Sequence, residues 1–166
     1  MEVYQYVKEN NIDTNPAMTA VNDIEFRAII SVLPIDTAVE IGTYHGCTAA
    51  YIAQFANKVH TFDIEDFPQK YKIWTDCGVA DKIEFHLIKS KAEIAEILKD
   101  ISFDFAFIDD GHEYEDCKAD FELVKKCGRV LFHDVIHPRF KGVRKFTDEL
   151  GNVRITVNNG YWSDIK

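Results

Sequence analysis

Polar residues recur in this sequence just after short apolar runs: Glu40 with Gly42 to Gly46, Asp63 with Glu65, Asp109 to His112, and His133 with Asp134. Glycine turns a chain tightly and lets backbone N–H groups approach a ligand with no Cβ in the way. Gly42 and Gly46 are spaced Gly-x-x-x-Gly, without the Gly-x-Gly-x-x-Gly of dinucleotide sites or the Lys-Ser/Thr ending of a phosphate loop. Asp63 lies 21 residues beyond Gly42, at the end of the next apolar run, where a carboxylate can accept hydrogen bonds from both hydroxyls of a ribose. Together they suit a nucleoside-bearing cofactor that has no pyrophosphate. Glu40 has two readings, a direct contact to that cofactor or a cap on nearby backbone N–H groups.

Asp109, Asp110, His112, His133, Asp134 and His137 supply carboxylates and imidazoles, the ligands of a divalent cation that lowers the pKa of a hydroxyl and orients it. Carboxylate oxygens suit Mg²⁺, and imidazole nitrogens move the preference toward Mn²⁺, Fe²⁺ or Zn²⁺. Without a metal, His112 or His133 is expected to act as a general base, because imidazole titrates near neutral pH. His60 and His86 fall within strand-like runs and read as structural; His45 falls near the glycine turn.

The elements that must carry these residues alternate. TAVEI, KVHTFDI, KIEFHLI, FDFAFIDD, RVLFHDV and NVRITV read as strands, several of them apolar on both faces as a buried parallel sheet requires. Helix-like segments lie between them: CTAAYIAQFAN, FPQKYKIWTDC, KAEIAEILKD, YEDCKADFELVKKC and FKGVRKFTDEL. The alternation predicts an α/β, Rossmann-like three-layer sandwich with a mostly parallel central sheet of about seven strands and helices on both faces. Asn159-Gly160, between NVRITV and YWSDI, predicts a hairpin and hence an antiparallel edge strand. Residues 35–166 form the expected core of a single domain, and residues 1–34 a helical extension with one helix from Ala17 to Leu33. In such sheets ligands bind beyond the carboxyl ends of the strands, where Glu40 to Gly46, Asp63 with Glu65, Asp109 to His112, and His133 with Asp134 fall.

On VEIGTYHGCTAAYIA, VHTFDIED, FAFIDDGHEYEDCKADFELV and GRVLFHDV, in that order and spacing, the chain resembles the class I S-adenosylmethionine-dependent methyltransferases, above all their small-molecule O-methyltransferase branch. The resemblance runs from about Thr37 to Asp134. It implies S-adenosylmethionine as cofactor, with Glu40, Gly42 and Gly46 lining its methionine and ribose part and Thr43 adding a hydroxyl contact. Thr48 would cap the helix that follows, Asp63 would hold the ribose, with Glu65 as the substitute, and Ser90 would lie at the adenine. Asp109 would stand near the methyl group. Mg²⁺ or Mn²⁺ would be held by Asp109 and Asp134 together with His133, and the chain departs from the related metal enzymes in offering His133-Asp134 at the last of these strand ends. Asp109, His112 and His133 are then the expected catalytic residues, and a small-molecule hydroxyl the expected acceptor. Two rival readings are a nucleotide-binding oxidoreductase and an inactive methyltransferase-like scaffold.

Composition narrows the classes. A net charge of −9 argues against gripping nucleic acid, which needs a basic face. No apolar run approaches a membrane span, and MEVYQYVKENN lacks the pattern of a secretory signal, so a cytoplasmic protein is expected. Cys47, Cys77, Cys117 and Cys127 have neither metal-site nor disulfide-scaffold spacing and read as free thiols. Tyr4, Tyr6, Met18, Phe26, Tyr161 and Trp162 are candidates for a lid or a homodimer contact, with core packing as the alternative.

Overall fold

Five of the apolar runs become parallel strands: β1 (Thr37–Ile41), β2 (Lys58–Asp63), β3 (Ile83–Leu87), β4 (Phe105–Ile108) and β5 (Arg129–Phe132). A hairpin of β6 (Val153–Ile155) and β7 (Gly160–Ser163) adds antiparallel pairing, so the sheet order is β3-β2-β1-β4-β5-β7-β6. The chain is seen in a computed structural model that describes residues 1–12 and 19–164. Fold class, antiparallel edge and hairpin agree with the sequence.

Side chains alternate across a strand, and that period separates two cores. On one face Ala38, Val59, Phe105, Phe107 and Leu131 pack against α1 (Val3–Glu9), α2 (Ile24–Val32), α3 (Cys47–Ala53) and α4 (Gln69–Asp76). On the other, Val39, Ile41, Phe62, Ala106, Ile108, Val130 and Phe132 meet α5 (Lys91–Ile97), α6 (Tyr114–Val124) and α7 (Lys141–Leu150). Each fully buried apolar side chain of this size contributes about 1.5–3 kcal/mol, so the strands are held chiefly by burial on both faces. In α3 every residue is buried, and Ala49, Ala50 and Ala53 let its backbone lie close to the sheet. None of Cys47, Cys77, Cys117 and Cys127 forms a disulfide.

The helix expected from Ala17 to Leu33 is shorter. Residues 17 and 18 lie outside the described residues, as does Met18 with the lid role suggested for it. Ala20–Asn22 form a 3₁₀ turn, and α2 begins only at Ile24. Asp23 between them is extended, with φ −80° and ψ 124°, and its carboxylate reaches a ring nitrogen of His133. A continuous helix would forgo that contact. Tyr6 and Phe26 pack in the first core, with Tyr4 and Tyr161 against it, and Trp162 packs against the second.

Strand order reverses between β1 and β4: α3 follows β1 onto one face, and α6 follows β4 onto the other. Their diverging connections leave a crevice above the carboxyl ends of these two strands.

Candidate functional site

The crevice is a cleft of about 460 Å³ whose floor is the loop from Gly42 to Thr48 and whose walls are Asp63–Glu65, Phe67, Asp109–His112, Asp134 and Phe140. Its floor depends on glycine. Gly42 has φ +99°, and a Cβ there would stand 2.3 Å from the Asp109 carbonyl oxygen. Gly46 has φ +74°, and its Cβ would meet Lys70 and Trp74, whose indole N–H donates to the Gly46 carbonyl at 2.8 Å.

Asp63 braces this loop. One carboxylate oxygen accepts the N–H groups of Thr43 (3.0 Å) and Tyr44 (2.7 Å), and the other accepts that of Glu65 (3.0 Å). Tyr44, at φ +45°, is held in a conformation side-chain-bearing residues seldom adopt. Asp63 thus spends hydrogen-bonding capacity on the loop, while Glu65 stands exposed at the lip of the cleft. Glu40 lies beneath the floor, fully buried, with Oε2 accepting the Thr61 hydroxyl at 2.5 Å and Oε1 lacking a hydrogen-bond partner among the described residues. Burial pushes its carboxyl well above the usual range, the Thr61 hydrogen bond opposes that, and the charges of Asp109 and Asp63 add to it.

Two expectations do not fit this geometry. Ser90 is exposed immediately before α5, after the edge strand β3, and is not among the residues that line the cleft. Thr48 lines the cleft but sits inside α3, its hydroxyl 3.3 Å from that of Thr19, and Gly46 takes the N-cap position.

Beside the floor, Asp109 after β4, Asp134 after β5 and His112 bring their donor atoms within 4.8 Å of one another. His112 Nε2 is buried, 3.1 Å from Asp134 Oδ2 and 3.9 Å from Asp109 Oδ1, without the alignment of a hydrogen bond. Its ring stacks on Phe140 with centroids 3.8 Å apart. Asp134 is 2% exposed and has φ +57°, a strained backbone of the kind that collects at functional sites. Burial works against its charge, but the His112 and His133 rings and the Asn158 amide, which donates at 3.0 Å, outweigh it and hold the carboxyl below the usual range.

His133 is the correction. It was expected as a base or a metal ligand, yet it lies behind the cluster, 3% exposed, with Nδ1 3.1 Å from Asp109 and Nε2 3.1 Å from Asp23. Burial disfavours its charge, but Asp109, Asp23 and Asp134 surround it and raise its pKa to about 11. An imidazolium so held is a poor proton acceptor at neutral pH; it neutralises and orients Asp109. The stability it lends is complete below about pH 6.5 and is lost as pH rises toward 11, since the folded value is the raised one. In a proton NMR titration from pH 5 to 9 the His133 ring should show no midpoint; one near 6.5 would overturn this assignment.

Sequence reasoning set His45 near this turn but placed neither Asp23 nor Asn158 here, nor Tyr44 and Phe67, which complete an aromatic wall where the Tyr44 and His45 rings stack at 3.8 Å. Tyr44 and Phe67, aromatic residues just past strand ends, were the available signal. Asp23 and Asn158 gave none.

The glycine-floored cleft, walled by carboxylates and a carboxylate–imidazole cluster, thus lies at the switch point of a mostly parallel sheet, where such folds bind their ligands. The chain belongs to the methyltransferase-domain family, whose model matches residues 39–135. That span contains Glu40, the glycine loop, Asp63, Asp109, His112 and Asp134, and it bears out the resemblance read from the sequence. The fold is similar to that of the O-methyltransferase from Bacillus cereus solved in complex with SAH (TM-score 0.71, 18% identity, covering 97% of this chain and 89% of that one). It is similar also to a putative caffeoyl-CoA O-methyltransferase from Staphylococcus aureus (TM-score 0.76, 14% identity, covering 96% and 91%). A third similar structure is the O-methyltransferase TomG from Streptomyces achromogenes, involved in tomaymycin synthesis and in complex with SAM (TM-score 0.67, 20% identity, covering 96% and 85%). No curated protein matches the chain. Among the described residues no helix is long and apolar enough to cross a membrane.

Proposed function

We propose that the protein is an S-adenosylmethionine-dependent O-methyltransferase that methylates a hydroxyl of a small molecule with the help of a divalent cation. The observation that carries this reading is the convergence of Asp109, His112 and Asp134 at the edge of the glycine-floored cleft. Structural neighbours solved with SAM or SAH support the cofactor.

The residues present fit such a cofactor. The missing Cβ atoms of Gly42 and Gly46 let the floor loop pack against the Asp109 backbone and against Lys70 and Trp74, and Glu40 Oε1 is a buried oxygen with acceptor or donor capacity to spare. Glu65 at the lip, or Asp63 beside it, would accept hydrogen bonds from the ribose. When bound, S-adenosylmethionine would supply an electrophilic methyl group on a sulfonium, so that alignment rather than covalent catalysis is asked of the protein. The cluster's donors fit a divalent cation too: two carboxylates suit Mg²⁺ or Mn²⁺, and the His112 ring favours Mn²⁺ of the two. Such a cation would lower the pKa of the acceptor hydroxyl. Asp109 is fixed by His133, Asp134 by Asn158, and His112 by Phe140, so all three ligands are oriented before anything binds. His112 remains the group placed to take the hydroxyl proton if no cation is needed.

Calorimetric titration tests the reading, with SAM and SAH as ligands, Mn²⁺ present or absent, and NAD as the control. Micromolar binding of the first two and none of NAD is expected. Tighter binding of NAD would favour an oxidoreductase, and no binding of any ligand a scaffold; either would overturn the proposal.

A further inference from the structure

A second group of metal-ligand side chains lies at the β3 edge of the sheet, away from the cleft. Strand register sets His60 of β2 against Glu84 of β3, and Phe62 against His86. With the two-residue period of strands, His60, Glu84 and His86 share one face, that of Phe62. His60 Nδ1 is 3.1 Å from His86 Nε2, and the Glu84 carboxylate presents one oxygen to each ring, at 3.7 Å and 3.8 Å. Donors bound tetrahedrally to a zinc-sized ion at about 2.0–2.1 Å are about 3.3 Å apart, a separation these distances bracket. Phe62 stacks on the His86 ring with centroids 4.6 Å apart and planes at 17°, fixing its orientation. Glu84 is half exposed, which leaves an entry path, and its carboxylate is held by the Lys58 ammonium at 3.0 Å.

We propose that His60, Glu84 and His86 bind a first-row transition-metal ion, Zn²⁺ above all, that clips the edge strand β3 to β2. Two imidazoles with a single carboxylate select this class of ion over Mg²⁺ or Ca²⁺, which demand oxygen ligands. The rings already face one another across the two strands, so the ion replaces their hydrogen bond and draws Glu84 from Lys58. The ion is a structural one: it ties down a strand that has a neighbour on one side only, three residues before the brace Asp63 at the end of β2. The proposal stands on these side chains alone and holds whether or not the cleft transfers methyl groups.

The test is Zn²⁺ titration of the protein, followed through the imidazole nitrogen resonances and the unfolding midpoint, for wild type, Glu84→Gln, His86→Phe and Lys58→Met. In wild type, Zn²⁺ at a few equivalents should move the His60 and His86 resonances together and raise the midpoint. Glu84→Gln, a change at a half-exposed carboxylate, should weaken that response about tenfold or more. His86→Phe should abolish the His60 shift, and Lys58→Met should tighten binding. If His86→Phe does not fold, Glu84→Gln decides. Resonances of His60 and His86 that stay fixed while those of His112 move, or a Glu84→Gln titration matching wild type, would overturn the proposal.

Discussion

Valine in place of Gly42 should lower affinity for S-adenosylmethionine by at least about 100-fold, roughly 2.7 kcal/mol of binding. Two independent costs act at this position. At φ +99° a β-branched residue is strained, at about 1–3 kcal/mol, and the new Cβ would lie 2.3 Å from the Asp109 carbonyl oxygen and 2.7 Å from its carbon. Both atoms are backbone and cannot swing aside. Relief requires β1 and β4 to part at their carboxyl ends, which displaces the floor of the cleft and the residue that begins the carboxylate–imidazole cluster. Gly78 is the control, because it too has a positive φ, +69°, yet a Cβ there meets nothing within 4 Å. Gly78→Ala should cost a little stability and leave binding intact. A folded Gly42→Val protein whose affinity lies within about threefold of wild type would refute the assigned floor.

Asparagine at Asp134 should depress kcat by about 1,000-fold, some 4 kcal/mol of transition-state stabilisation, while the dissociation constant for the cofactor changes by no more than a few-fold. Asparagine has the size of aspartate and tolerates the left-handed backbone that Asp134 adopts at φ +57°, so the loop should keep its path. What it lacks is the charge beside His112 Nε2 and His133. Any response of the rate to Mn²⁺ should weaken with it. A kcat within tenfold of wild type would remove Asp134 from the chemistry and leave the cleft as a binding site alone.

The glycine floor of the cleft was legible because it is local. A strand, a glycine turn and a helix follow one another within VEIGTYHGCTAAYIA, and alternation of elements is enough to place their junction at the rim of a sheet. Asp109 and Asp134 were legible for the same reason. His133 was not, because its role is decided by Asp23, a residue 110 positions earlier whose loop carries no periodic signal. Asp63 illustrates a subtler limit. Its address at the end of β2 was readable, but its capture by the Thr43 and Tyr44 N–H groups depends on the turn that Tyr44 makes. His60 and His86 looked like isolated strand residues; only the register of β2 against β3 brings them together, and register is a property of pairing, not of either strand. Ser90 lies in the expected connection after β3, exposed at the start of α5 and outside the residues that line the cleft.

The Asn158 amide, which steadies Asp134, belongs to the turn of the β6–β7 hairpin, the last pairing the chain makes among the described residues. Asp23, its counterpart across His133, comes from before the first strand. The carboxylate–imidazole end of the cleft is therefore clasped by a segment before β1 and another after β5, whereas the glycine floor is made of neighbours in sequence. During synthesis the floor can form early, but the clasp cannot close until the ribosome has passed the hairpin. Disturbing the hairpin turn or the Asp23 loop should therefore be felt first at Asp134 and His133, and only later at the glycine floor.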